Sequence, residues 1–149
     1  MTHTAMKTTE GARLVILYGI GGLSDVGRHA VQLAVEKKKA KELDHITVLT
    51  RYPELLAEPN WKCGCPEPHV FSEEDKKLFD LVTVKKWSDK SLTSHFQGAT
   101  AVISCLGNRQ ATMMGVKPDS WEAYVGNSVV IQAMKDHSIQ RAVVMSSMG

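Results

Sequence analysis

Residues 13–30, RLVILYGIGGLSDVGRHA, decide how this chain folds. The apolar, largely branched run Leu14 to Tyr18 has the composition of a strand covered on both faces. It stops at Gly19, Gly21 and Gly22, and apolar residues at helical spacing resume from Val26. Strand, tight glycine turn and helix therefore follow in that order. A helix N-terminus carries unpaired N–H groups and partial positive charge, and glycine, lacking Cβ, lets a phosphate group come close to the backbone. Such a turn is a seat for phosphate.

The glycine spacing is irregular. Gly19, Gly21, Gly22 and Gly27 fit neither G-x-G-x-x-G nor G-x-x-G-x-x-G: against the second they leave two residues more before the last glycine, with Leu23 and Ser24 as the extra pair. This leaves open which of Gly21, Gly22 and Ser24 meets phosphate. A P-loop is excluded, because no Gly-Lys-Ser/Thr follows the turn.

Outward from this stretch, helical spacing continues through Val31, Leu33, Ala34 and Val35 and ends in Lys37 to Lys41, a solvated end that suits the helix dipole. Ile46 to Thr50 reads as strand two. Residues 51–80 carry Pro53, Pro59, Pro66 and Pro68, and form a long surface excursion. Within it Ser72 to Asp75 resembles a capping box for a short helix with Leu78 and Phe79 on its buried side. Leu81 to Val84 is strand three; Ser88 or Asp89 then caps a short helix through Leu92 and Phe96, which Gly98 stops. Ala101 to Cys105 is strand four, with Leu106-Gly107-Asn108 as the turn at its end. Asp119 and Glu122 cap a helix over Ser120 to His137, with Trp121, Tyr124, Val125 and Ser128 on one face, and Ala142 to Met145 is strand five.

Strands alternating with helices predict an α/β fold: a doubly wound parallel sheet of the Rossmann type, order 3-2-1-4-5, in one domain over 1–149 with a frayed leader at 1–11. Ligands of such sheets bind beyond the carboxyl ends of the strands, where the winding reverses. The turns to watch are Gly19 to Gly27, Thr50-Arg51, Cys105 to Asn108 and Met145 to Ser147.

Composition narrows the function classes. The net charge of +2, from 18 basic and 16 acidic side chains, gives no steer toward nucleic acid or a membrane surface, and no apolar run reaches a membrane span. Three cysteines make no disulfide framework and point to a reducing, cytoplasmic setting. Cys63, Cys65 and His69 do not complete a zinc site, and the six histidines show no ligand spacing, so no metal is expected. At the end of strand two, where a carboxylate would accept the adenosine ribose of NAD, the chain has Thr50-Arg51. A guanidinium there can pair bidentately with a 2′-phosphate, so the cofactor reads as NADP(H).

Taken together, YGIGGLSDVGRHA, TVLTRYPELL, ATAVISCLGNRQ and NSVVIQAMKDHSIQRAVVMSSMG resemble the atypical NAD(P)H-binding branch of the short-chain dehydrogenases, the NmrA-like proteins and biliverdin-IXβ (flavin) reductases. The resemblance covers nearly all of Arg13 to Gly149. It implies that Gly19, Gly22, Asp25, Val26 and Gly27 line the pyrophosphate, joined by Gly21 or Ser24. It also implies that Arg51 holds the 2′-phosphate and that Leu106 and Gly107 lie along the ribose and nicotinamide. Ser146 and Ser147 then stand where the branch carries its active-site hydroxyl.

There are departures from the pattern. Lys85-Lys86-Trp87 follows strand three where the branch often has Gly-Asp, and no Tyr-x-x-x-Lys exists, since Tyr18, Tyr52 and Tyr124 are followed four places on by Gly22, Leu56 and Ser128. The branch often lacks that pair. The chain also ends with strand five, before the substrate-binding segments of related proteins, which leaves an edge open to a homo-oligomer. The function implied is hydride transfer from NADPH to a small acceptor such as a flavin, quinone or conjugated carbonyl. The alternative is a non-catalytic NADP(H) sensor or protein-interaction domain.

Overall fold

The computed structural model describes residues 11–19, 24–56, 71–106 and 122–145. Its strands are β1 (Arg13–Tyr18), β2 (His45–Thr50), β3 (Asp80–Thr83), β4 (Ala101–Cys105) and β5 (Ala142–Val144). They form one parallel sheet in the order β3-β2-β1-β4-β5 that the alternating pattern predicts. The helices are α1 (Ser24–Lys39), α2 (Glu73–Lys76) and α3 (Glu122–His137), with 3-10 turns at Pro53–Leu56 and Lys90–Phe96.

Alternation along β1 divides the core. Val15 and Leu17 face α3 and the Lys90–Phe96 crossover, where Val129, Val130, Ala133, Leu92 and Phe96 are buried with them. Ile16 and Tyr18 face α1, against Val31, Ala34 and Val35, and this cluster extends to Phe71 and Phe79, whose rings meet edge to face at 5.6 Å. The central strands are thus apolar on both sides, as their composition requires.

Several local expectations shift. The Ser72 Oγ accepts the Asp75 N–H at 3.1 Å as a cap should, but α2 closes at Lys76, so Leu78 and Phe79 turn inward after the helix has ended. Between β3 and β4 the cap is Asp89, whose Oδ1 accepts the Ser91 N–H at 2.9 Å, and the segment it starts is 3-10 rather than α. Thr93 and Ser94 hydroxyls donate to the Lys90 and Ser91 carbonyls three residues back, competing for the acceptors a regular helix needs. On α3 Tyr124 and Ser128 do share a face, but it is the solvent face; Gly126, Val129, Val130 and Ala133 turn inward. Asp119, Ser120 and Trp121 lie outside the described residues. β5 is exposed at all three positions, as befits an edge strand.

α3 ends with Ser138 at φ 55°, followed by an Ile139 N–H bond to the Met134 carbonyl at 3.0 Å. That six-to-one bond is the Schellman ending, whose left-handed position favours glycine. Ser138→Gly is expected to raise stability by about 1 kcal/mol, a melting-temperature gain of roughly 3 °C read by scanning calorimetry.

Candidate functional site

The winding reverses at β1, which pairs with β2 on one side and β4 on the other. In the sheet register Tyr18 stands opposite both Thr50 and Cys105, so three strand ends reach the same level. Gly19, buried, continues from β1, and α1 opens five residues later at Ser24. The helix starts hard against the strand. A Cβ built on Gly27 would lie 2.2 Å from Tyr18 Cδ2 and 3.3 Å from Cys105 Cβ, so only glycine permits this approach. The consequence is positional: the free N–H groups of the first turn of α1 stand over the end of β1.

On the β2 side, Thr50 is fully buried and its Oγ1 accepts the Tyr52 N–H at 3.0 Å, which turns the chain outward at Arg51. Arg51 is exposed, with its guanidinium carbon 5.7 Å from the centre of the Tyr52 ring. The same strand end is held to β3 by the Val84 N–H bond to the Thr50 carbonyl. A cation on a short, braced turn can offer two parallel donors to a phosphate.

On the β4 side, Leu106 is only 2% exposed and packs where a Cβ on Gly126 would meet its Cδ1 at 2.2 Å. Its side chain belongs to the core, and its backbone is what remains to a ligand. Burial pushes the Cys105 thiol up to about 11, so it stays protonated and is no nucleophile at neutral pH.

Two buried polar groups near these ends escaped the sequence reading. The Ser104 hydroxyl donates to Asn127 Oδ1 at 2.5 Å, a polar link between β4 and α3 inside the core. Arg28, next to Gly27, is 4% exposed. A polar residue inside an otherwise apolar strand was the one signal for the first; nothing in the helical pattern marked the second.

Ser24 and Asp25 lie in the first turn of α1 by their backbone, and Val26 beside them is half-buried. Gly21, Gly22, Gly107, Ser146 and Ser147 lie outside the described residues, as do Cys63, Cys65 and His69. Among the described residues there is no cluster of metal-ligating side chains, and no helix is long and apolar enough to cross a membrane. The residues present fit a dinucleotide: the Gly27 contact provides the close helix approach that a pyrophosphate seat needs.

The sequence pattern of the NAD(P)H-binding family matches residues 21–149. No curated protein matches. Among solved structures, Pen from Bacillus thuringiensis is 11% identical, with 91% of this chain and 37% of that one covered at a TM-score of 0.57. A variant uronate dehydrogenase from Agrobacterium tumefaciens, complexed with NAD, is 15% identical over 91% of this chain and 41% of its own, with a TM-score of 0.51. At such identities the likeness is one of fold, and the chain spans about two fifths of the length of these proteins. With the family pattern running from the glycine turn to the end of the chain, over a sheet whose winding reverses at that turn, the chain belongs to the NAD(P)H-binding family.

Proposed function

We propose that the chain is the NADP(H)-binding domain of an atypical short-chain dehydrogenase/reductase, passing hydride from NADPH to a small acceptor such as a flavin, quinone or conjugated carbonyl. The observation that supports NADP(H) over NAD is Arg51, a cation at the end of β2 where an NAD site would place a carboxylate. In this reading Gly19, Gly21, Gly22, Ser24, Asp25, Val26 and Gly27 receive the pyrophosphate. Arg51 holds the 2′-phosphate, the backbone at Leu106 and Gly107 follows the ribose and nicotinamide, and the Ser146 and Ser147 hydroxyls face the acceptor. The nicotinamide supplies the hydride when bound; the protein binds it, orients it and excludes water.

A second reading is a sensor that binds NADP(H) without turnover; the chain has no Tyr-x-x-x-Lys, which is compatible with this reading and with the first. Both readings predict selective stabilisation. At NADPH a hundredfold above its Kd, the melting temperature should rise by roughly 5–10 °C, with NADH at the same concentration giving little. Equal shifts would remove Arg51 from the reading, and no shift would remove NADP(H). Absorbance at 340 nm with a panel of flavins and quinones then separates the two: turnover supports the reductase, and binding without turnover the sensor.

A further inference from the structure

We propose that the opposite edge of the sheet, where its strands begin, holds a second site for a small oxyanion, built by Arg13, Thr47, His95 and Gln97 beside the His45–Asp80 pair. The site exists because the β3–β4 crossover is short. Seven residues of 3-10 turn cover Leu17, Leu49 and Val102 but leave the first residues of β1, β2 and β3 open on the same face. The result is a cavity of about 570 Å3 between those strand starts and Ser94 to Gly98, within the size range of small-molecule sites.

Its chemistry follows from register. Arg13 and His45 are opposite one another as the first residues of β1 and β2, and Thr47 is opposite Asp80 on β3. His45 Nε2 lies 3.0 Å from Asp80 Oδ2, so the carboxylate that lines the cavity already has a partner. Ser94 spends its hydroxyl proton on the Ser91 carbonyl. What remains is rich in donors: the Arg13 guanidinium, the Thr47 hydroxyl, the Gln97 amide and the His95 ring. Such a set selects an oxyanion, with the guanidinium as the bidentate partner.

Arg13 is held in place for this. Its backbone N–H donates to Thr100 Oγ1 at 3.0 Å and its carbonyl accepts the Thr100 N–H at 2.8 Å. Its side chain runs across Gly98, where a Cβ would meet its Cδ at 3.5 Å; Gly98 itself has φ +76°, the left-handed turn that ends the crossover and forms the cavity rim.

A phosphate ester and a carboxylate would be read by the same donors, so the test separates them. Histidine-ring NMR signals are followed while the NADPH-saturated chain is titrated with inorganic phosphate, with malonate, and with chloride as the ionic-strength control. Saturable movement of the His45 and His95 signals with phosphate or malonate, and not with chloride, is expected, and the tighter of the two identifies the source. Arg13→Gln should weaken that binding at least fivefold, and Gln97→Ala about twofold, while leaving the NADPH-induced melting shift unchanged. Movement that only tracks ionic strength, or that is the same in both variants, would overturn the site. The proposal does not rest on the glycine turn, since failure of NADPH to bind leaves these two ring signals and their titration in place.

Discussion

Gly27→Ala is expected to lower the stability of the fold by about 2 kcal/mol and to weaken dinucleotide binding on the order of 10²-fold. The added methyl would sit 2.2 and 2.8 Å from two ring carbons of Tyr18, and that ring is buried in the cluster beneath α1. A flat ring packed on both sides cannot give way, so α1 must lift from β1 by about 1 Å to restore ordinary contact. The helix gains from alanine's better propensity, but by only about 1 kcal/mol. Lifting α1 also moves the amides that the proposed site aims at phosphate, which is why binding should suffer more than stability. Gly126→Ala is the control. Its methyl meets the Cδ1 of Leu106, the end of a side chain with other rotamers, so a cost below about 1 kcal/mol is expected there. Urea unfolding gives the stabilities, and Tyr18→Val in the Gly27→Ala background should recover part of the loss, because it removes the ring the methyl strikes. Equal costs at the two glycines would mean that α1 is not seated by this contact.

The sheet was legible because a central parallel strand has no polar side, and the apolar runs of Arg13–Tyr18 and Ala101–Cys105 stand out on that ground alone. The glycine turn was legible in kind but not in detail, since four glycines in nine residues announce a close approach without saying which one makes it. Gly27 is shown to make the contact with β1. Leu106 shows the limit at a strand end: one residue beyond β4, alternation no longer decides, and the side chain went to the core because Gly126 leaves a hole that fits it. On α3 the spacing groups Trp121, Tyr124, Val125 and Ser128 on one face without saying which way that face turns. Glycine carries no apolar signal, yet Gly126 is buried against Leu106 and Trp87, while the large Tyr124 is 59% exposed. The cavity at the strand starts was invisible, because Arg13, His45 and Asp80 are far apart in sequence and meet only through register.

Arg51→Glu should reverse the choice of nucleotide: NADPH affinity falls on the order of 10²-fold, and NADH affinity holds or rises. Two effects point the same way. The substitution removes a guanidinium capable of two charge-assisted bonds to a 2′-phosphate, and it installs a carboxylate that repels that group while accepting the free 2′-hydroxyl of NADH. A factor of 10² corresponds to about 2.7 kcal/mol, within the range for losing one well-placed charged pair and gaining a like-charge contact. The local structure should survive, because Arg51 is exposed and the turn is fixed by the buried Thr50 hydroxyl rather than by the arginine. Tyr52→Ala tests the bracing separately. With the ring 5.7 Å from the guanidinium removed, NADPH binding should weaken by only about threefold, since stacking orients the cation without supplying its charge. Salt completes the argument: wild-type NADPH affinity should fall as ionic strength rises, and the Arg51→Glu protein should show a flatter or opposite slope, read by calorimetric titration between low and physiological salt. If the variant bound NADPH as the wild type does, the 2′-phosphate would have its partner elsewhere, and Arg51 would be a surface cation at the start of a loop.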